Sequence, residues 1–229
     1  MPVDLELEAV LRPIQYPMPP YPPKVITLAN GKQMVIRQAV REDVPAILKS
    51  VHPCLFIERD YYDIVSARLY GELLAWYRYR AKSPYCLLGQ VDGYLVGVVN
   101  GRMETEKVGM SYHTLAIDRG LRIGSHLFAA KMEYHMEYLG QEDILIVAES
   151  PIGFRRWMIE YPLEKTNIPH ELGGGDSYRL TREIYLKAKP RLVVGDRPVP
   201  QDLLAEAEAE IKFADDDTIR ERIAGLKGR

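Results

Sequence analysis

The sequence predicts an α+β protein. Three observations point there. Runs rich in β-branched residues flank Asn30-Gly31 and Asp92-Gly93, the strongest short hairpin signals. Apolar residues recur at helical spacing in separate stretches between and after those runs. A bare, basic turn, "RGLRIGSHLF" from Arg119 to Phe128, stands where a strand-like run ends and a helix-like run begins.

The elements follow in order. Residues 1–23 are proline-rich and read as an extended arm that packs over the surface or onto a partner. "KVITLA" and "QMVIRQA" form the first hairpin. "REDVPAILKSV" is a helix, with Val44, Ile47, Leu48 and Val51 on one stripe and Glu42 and Asp43 near its positive end. The aromatic and charged stretch 55–81 gives one or two helices through Ile64, Leu69, Leu73 and Trp76. "YCLLGQ" and "YLVGVVNGRM" form the second hairpin, and "VGMSYHTLAID" is a further strand. The helix after the turn puts Leu127, Ala130 and Tyr134 on one stripe beside Phe128, Met132 and Met136, and Gly140 ends it. "DILIVAES" is a buried strand. "PIGFRRWMIEY" is a helix with Pro151 in its first turn. "HELGGGD" is a loop, and "SYRLTREIY" is the last strand. Residues 24–189 thus form one domain, and residues 190–229 a helical extension of strong helix propensity.

Composition narrows the function classes. The chain has 229 residues, 47% of them hydrophobic and 27% charged, which reads as a globular protein with a sizeable core. A net charge of -2 gives no electrostatic reason to expect nucleic acid. No apolar run approaches bilayer length, and the start lacks a basic segment followed by an apolar one, so neither a membrane span nor a secretory signal is expected and the cytoplasm is the default compartment. Cys54 and Cys86 are too few for a disulfide scaffold or a zinc site. "HELGG" is not a His-Glu-x-x-His metal motif, because Gly174 stands where the second His belongs. No metal is expected.

A strand, a glycine-bearing turn and a helix start make an anion site, because free backbone N–H groups and the helix dipole converge there. The turn lacks the Lys-Ser/Thr pair of a P-loop and the third glycine of a dinucleotide fingerprint. Taken alone it is equally an ordinary strand-to-helix connection. The order of elements adds to it: hairpin strand, helix, helix, hairpin, strand, anion turn, helix, strand, helix, strand. In that order, and in the match of Arg119 and Gly124 to the pattern Gln/Arg-x-x-Gly-x-Gly/Ala, the chain from Lys24 to Ile184 resembles the GNAT N-acetyltransferase family. "VIRQAVREDVPAI" resembles the family's first strand and helix, and "SYRLTREI" its closing strand. Arg122 stands where the pattern has its first glycine.

The resemblance implies a central mixed, mostly antiparallel sheet, flanked by helices and splayed where acyl-CoA binds. It implies acetyl-CoA as co-substrate, its pyrophosphate on the main chain of Arg119, Gly120, Leu121, Arg122, Ile123, Gly124 and Ser125. Its pantetheine would pair with Leu115, Ala116 and Ile117, near Ser150. The activity implied is acetyl transfer to a primary amine, a small molecule by preference, directly within a ternary complex. The family's acid, a Tyr on the helix after the second splayed strand, falls at Trp157 here, and Tyr161 one turn on is its substitute. His113 and Glu149 are candidate bases, with Glu58 and Asp60 behind them. Each has a plainer reading, as a half-buried strand histidine, a strand end or a solvated charge cluster. The tyrosines between 61 and 85 read as packing, some of them lining an acceptor pocket. Two rival functions stay open: a non-catalytic acyl-CoA-binding regulatory protein, and an assembly module working through its arm and tail, the same segments that offer surfaces for a homodimer.

Overall fold

The computed structural model describes residue 11, residues 15–172 and residues 175–224. Most of the arm before Gln15, two glycines of the "HELGGGD" loop and the last five residues of the tail lie outside the described residues. Eight strands among the described residues form one open sheet in the order β1-β2-β3-β4-β5-β6-β8-β7. They are β1 (Lys24–Thr27), β2 (Gln33–Gln38), β3 (Pro84–Val91), β4 (Tyr94–Met103), β5 (Val108–Ala116), β6 (Asp143–Val147), β7 (Glu164–Thr166) and β8 (Ser177–Thr181). Every neighbouring pair is antiparallel except β5 with β6, which run parallel. The two hairpins turn where the sequence placed them. At the second, Asp92 and Gly93 both take the left-handed conformation, with φ 53° and 76°, as a two-residue turn between twisted strands requires.

Helices cover both faces. On one face lie α1 (Val44–Val51) and α2 (Tyr62–Tyr77). Val44, Ile47 and Val51 from α1 and Val65, Leu69 and Leu73 from α2 meet Leu88, Val98 and Leu115 of the sheet. The other face carries α3 (Ile123–Glu133), whose Leu127 and Ala130 pack on Met34, Ile36 and Val99. Each fully buried Leu of this kind contributes about 1.5–3 kcal/mol. Beside it, α4 (Pro151–Glu160) and α5 (Arg182–Leu192) pack through Trp157, Ile184 and Ala188. The chain then continues through α6 (Gln201–Glu208) to α7 (Asp216–Ala224). Ile211, Ile219 and Ile223 are buried in the core that α1 and α2 form. No helix among the described residues is long and apolar enough to cross a membrane.

Two segments differ from the sequence reading. "SYRLTREIY" is a strand only to Thr181, whose side chain accepts from the Ile184 N–H and starts α5 as its N-cap. Pro190 sits inside the last turn of that helix. The helix after the turn ends in a π-helical turn over Tyr134–Tyr138, which lets His135 reach the Tyr85 hydroxyl at 2.6 Å before Gly140 stops it at φ 68°.

One carboxylate ties distant pieces to α3. Glu133 accepts from the Tyr21 hydroxyl at 2.7 Å, from Lys24 at 2.8 Å and from Arg197 at 2.9 Å. Burial alone would raise its pKa, but these three donors hold it below the ordinary value of 4.5. A carboxyl depressed in the fold contributes stability above its unfolded pKa, and that contribution is lost as pH falls through the folded value. Glu133→Ala leaves the Lys24 ammonium buried without a counter-charge. A loss of about 3–5 kcal/mol is expected in urea unfolding at pH 7, and a smaller difference from wild type at acid pH. An equal difference at both pH values would show that packing, not charge, makes Glu133 matter.

Candidate functional site

The site begins where β5 and β6 part. Their parallel pairing runs from Val108 with Asp143 to Ser111 with Ile146, and no further. On its other edge, β5 pairs Ser111 with Gly101 and then Thr114 with Val99. Two residues, Tyr112 and His113, therefore oppose the single Asn100. This is a β-bulge, which bends the strand and strengthens its twist. The Asn100 side chain fills the gap by accepting the His113 N–H at 3.1 Å. The two bulged rings stack with centroids 5.9 Å apart. Beyond the bulge β5 swings away from β6 and a cleft opens.

The cleft is a cavity of about 280 Å³. Leu115 and Ala116 of β5 form one wall, and Glu149 and Ser150, just past β6, form the other. The turn from Arg119 to Ser125 closes one end, contributing Arg119, Gly120, Arg122, Ile123, Gly124 and Ser125. Trp157 stacks on Phe128 at 4.7 Å, and Asp60 and Tyr62 come in from the start of α2. The first turn of α3 presents backbone N–H groups that have no partner within the helix, with the positive end of its dipole behind them. A Cβ built on Gly124 would meet only Ala116 and Thr114 atoms at 3.7 and 3.9 Å, ordinary contacts. Neither packing nor a left-handed φ demands glycine there.

Arg122 stands in the backbone conformation that favours the glycine of the pattern. It is the N-cap of α3 at φ 59°, a conformation that suits glycine and strains a side chain. Its guanidinium lies over the surface and pairs with Glu160 at 2.9 Å. Arg119 is paired too, with Asp60 at 2.7 Å. Asp60 and Tyr61 both adopt left-handed backbone, φ 55° and 63°, to make that approach. The next residue, Tyr62, donates its hydroxyl to the Ala116 carbonyl at 2.7 Å.

The two base candidates come together. His113 Nδ1 lies 2.7 Å from Glu149 Oε2, although 36 residues separate them. Glu149 Oε1 also accepts from Arg68 of α2 at 3.1 Å. Burial works to raise the Glu149 pKa, but the His113 and Arg68 contacts bring it below the ordinary value. Glu149 faces the cleft and His113 lies wholly buried behind it, its Nε2 without a hydrogen-bond partner.

Several expected residues lie elsewhere. Tyr161 is fully buried: α4 ends at Glu160, and the extended Tyr161 turns its ring into the core against Phe128, where the hydroxyl has no partner. It is not placed to protonate a thiolate in the cleft, which corrects the expectation. Ile117 is buried, with its N–H on the Val96 carbonyl at 2.8 Å, and Leu121 packs against the α3 face of the core, so neither lines the cavity. Glu58 is exposed. His170 bonds the Ser111 carbonyl at 3.1 Å, and burial pushes its pKa down to about 4, the mark of a neutral structural histidine. Sequence reasoning missed Arg68 and Thr114. Nothing in the local pattern separates Arg68 from other surface arginines, and Thr114 is one of several strand threonines and serines.

No protein-family model matches the chain, and no curated protein matches it. Solved structures do. An uncharacterised protein from Bacillus halodurans aligns at 11% identity over 74% of this chain and 95% of its own, with a TM-score of 0.53. Apo FdhC, described as a nucleotide-linked sugar GNAT, aligns at 12% over 79% of this chain and 100% of its own, TM-score 0.49. The PaiA N-acetyltransferase of Thermoplasma acidophilum, solved with coenzyme A, aligns at 13% over 65% and 98%, TM-score 0.45. At these identities the likeness concerns the fold alone. With its mixed sheet opening between a parallel central pair, the chain shares the fold of the Bacillus halodurans protein.

The Tyr62 hydroxyl occupies the main-chain acceptor that the resemblance assigns to pantetheine. A ligand donor that takes the same lone pair of the Ala116 carbonyl has to displace it. Tyr62→Phe should then raise affinity for coenzyme A about two- to tenfold in calorimetry, the reach of one hydrogen bond. Weaker binding by the variant would show that the hydroxyl contacts the ligand instead.

Proposed function

We propose that the protein is an N-acyltransferase that moves an acetyl group from acetyl-CoA to the primary amine of a small molecule, directly, within a ternary complex. The observation that supports this most is the pairing of Glu149 with His113 on the wall of a cleft whose end is a helix N-terminus with a bare glycine. The cleft offers an anion seat at one end and a proton acceptor along its wall, the two functions that amide formation from an acyl phosphopantetheine thioester requires.

The residues present fit such a co-substrate. The N–H groups of Ile123, Gly124 and Ser125 would hold a pyrophosphate, and Arg119 would add a charged contact on exchanging Asp60 for phosphate. Ala116 has its main-chain groups on the edge free of β6, since pairing with that strand ended at Ser111, while those of Leu115 turn to β4. Bound acetyl-CoA would supply an activated carbonyl at the mouth of the splay.

Glu149 then acts on the acceptor. An ammonium entering along α2 gives up one proton to Glu149 and through it to water, so that its lone pair can attack the carbonyl carbon. The C–N bond forms, the C–S bond breaks, and the second nitrogen proton ends on the departing sulfur. His113 donates its Nδ1–H to Glu149 and fixes the carboxylate's orientation, while Arg68 keeps it ionised. Neither Tyr161 nor Trp157 supplies an acid, so the proton reaches sulfur by way of water. Cys54 and Cys86 are buried in the core, and burial raises both thiols, Cys54 to about 12. That setting supports direct transfer over an acetyl-cysteine route.

Acetyl-CoA should raise the melting temperature of the wild type, and Gly124→Glu should abolish the shift by filling the turn and repelling phosphate. Glu149→Gln should lower kcat on the order of 10²-fold with acetyl-CoA affinity nearly unchanged, measured over a panel of aliphatic and aromatic amines. Binding without turnover of any amine would move the conclusion to a non-catalytic acyl-CoA-binding protein. Absence of binding by calorimetry would remove both readings.

A further inference from the structure

A lysine stands where the core should be apolar. Lys131 occupies the middle of α3, between Ala130 and Met132, with none of its surface exposed. It does not sit in an ion pair. Its ammonium points at the back of the β5 bulge, 3.1 Å from the Tyr112 carbonyl, 3.1 Å from the His113 carbonyl and 3.2 Å from Thr114 Oγ1, with the Asn100 carbonyl at 3.5 Å. These oxygens belong to the two bulged residues and their immediate neighbours. The register of β4 skips them, and β6 has already left β5 at Ser111. Main-chain carbonyls without a strand partner cannot be left bare in a core. A lysine amine, with two N–H donors when neutral and three when charged, satisfies them together.

The geometry points to Lys131 as a positioning residue for the Glu149–His113 pair, its ammonium standing in for the strand partner that the bulge removes. The inference rests on the acyltransfer reading above. Were these carbonyls unpaired, β5 would gain by sliding the extra residue out and restoring a regular ladder. A one-residue shift sends a side chain to the opposite face. His113 would leave Glu149, and the carboxylate would lose its orientation. Lys131 holds the extra residue in, and the Asn100 side chain closes it from the other edge.

The lysine's own titration follows from its site. Burial drives its pKa down to about 7, with Glu149 pulling the other way. The titratable groups around it are His113 on β5, Cys86 on β3, His135 next on its own helical stretch, Glu149 past β6 and His170 of the covering loop. Because the amine's ordinary value is 10.5, the unfolded chain binds more protons than the fold between about 7 and 10.5. This residue therefore makes stability rise with pH across that window.

The test compares wild type with Lys131→Met as full chains labelled with ¹⁵N-histidine, with His113→Gln to assign the ring signals. Wild type should show His113 as the Nδ1–H form with a strongly hydrogen-bonded proton. Lys131→Met should lose that signature, keep acetyl-CoA affinity within about threefold, lower kcat on the order of tenfold or more, and shift the pH profile of kcat. Its stability should lack the rise that wild type shows from pH 7 to 10. If Lys131→Met does not fold, Lys131→Gln, which keeps two N–H donors without the charge, should retain more of the His113 signature and still lack the rise in stability with pH. An unchanged His113 signal together with an unchanged pH profile would overturn the proposal. The histidine signal is read without turnover, so failure of this inference is separable from failure of the acyltransfer reading, in which wild type itself would transfer nothing.

Discussion

The parting of β5 from β6 after Ser111 and Ile146 is the constraint on which the rest depends. Parallel strands inside a sheet normally stay paired, because each leaves a row of donors and acceptors that must be satisfied. Here the pair stops after four registers and the exposed edges have to be provided for. The extra residue in β5 makes the divergence, and side chains from three other elements make it tolerable. Lys131 reaches it from α3, Asn100 from β4, and Tyr62 from the start of α2. Each is a polar group sent to a main-chain atom that regular sheet would have satisfied unaided. The cleft is thus the space left by a planned break in the ladder.

The same break brings His113 to Glu149. Parallel pairing puts Ser111 beside Ile146, so residues two and three places further on stay near each other as the strands begin to diverge. A regular β5 would have alternated Tyr112 and His113 to opposite faces. The bulge puts both rings on one side, where they stack, and delivers the imidazole to the carboxylate. One inserted residue therefore opens the groove and assembles its polar wall, which couples the shape of the site to its chemistry.

Much of this was legible in the sequence, and the limits have physical causes. Asn30-Gly31 and Asp92-Gly93 marked their turns because their conformation needs those residues. The stripes of α1 and α3 were visible because each covers one face of the sheet, as the burial of Val44, Ile47 and Leu127 shows. The turn at Arg119 to Ser125 showed itself through its glycines. The bulge did not, since an extra residue in a strand changes no local preference. Tyr161 misled because a four-residue step along a helix keeps the same face, and the helix ends one residue too soon. The start of α5 at Arg182 was hidden by "SYRLT", whose strand pattern runs directly into the N-cap Thr181. Lys131 left a trace that pattern reading discounts: a single lysine inside an apolar helix is usually taken for an exposed position.

The groove is also largely satisfied by the protein itself, and this bears on how it would recognise a ligand. The Ala116 carbonyl has Tyr62, Arg119 has Asp60 and Arg122 has Glu160. Binding at these groups exchanges one hydrogen bond for another, and such exchanges contribute little net free energy. They do penalise a ligand that displaces a partner without replacing it. Affinity for such a ligand would come from what the protein leaves open, the N–H groups at the start of α3 and the apolar wall of Leu115 and Trp157. Discrimination would come from the groups already paired. The left-handed Asp60 and Tyr61 stand at the same place, at the start of α2, the helix whose Arg68 pairs with Glu149.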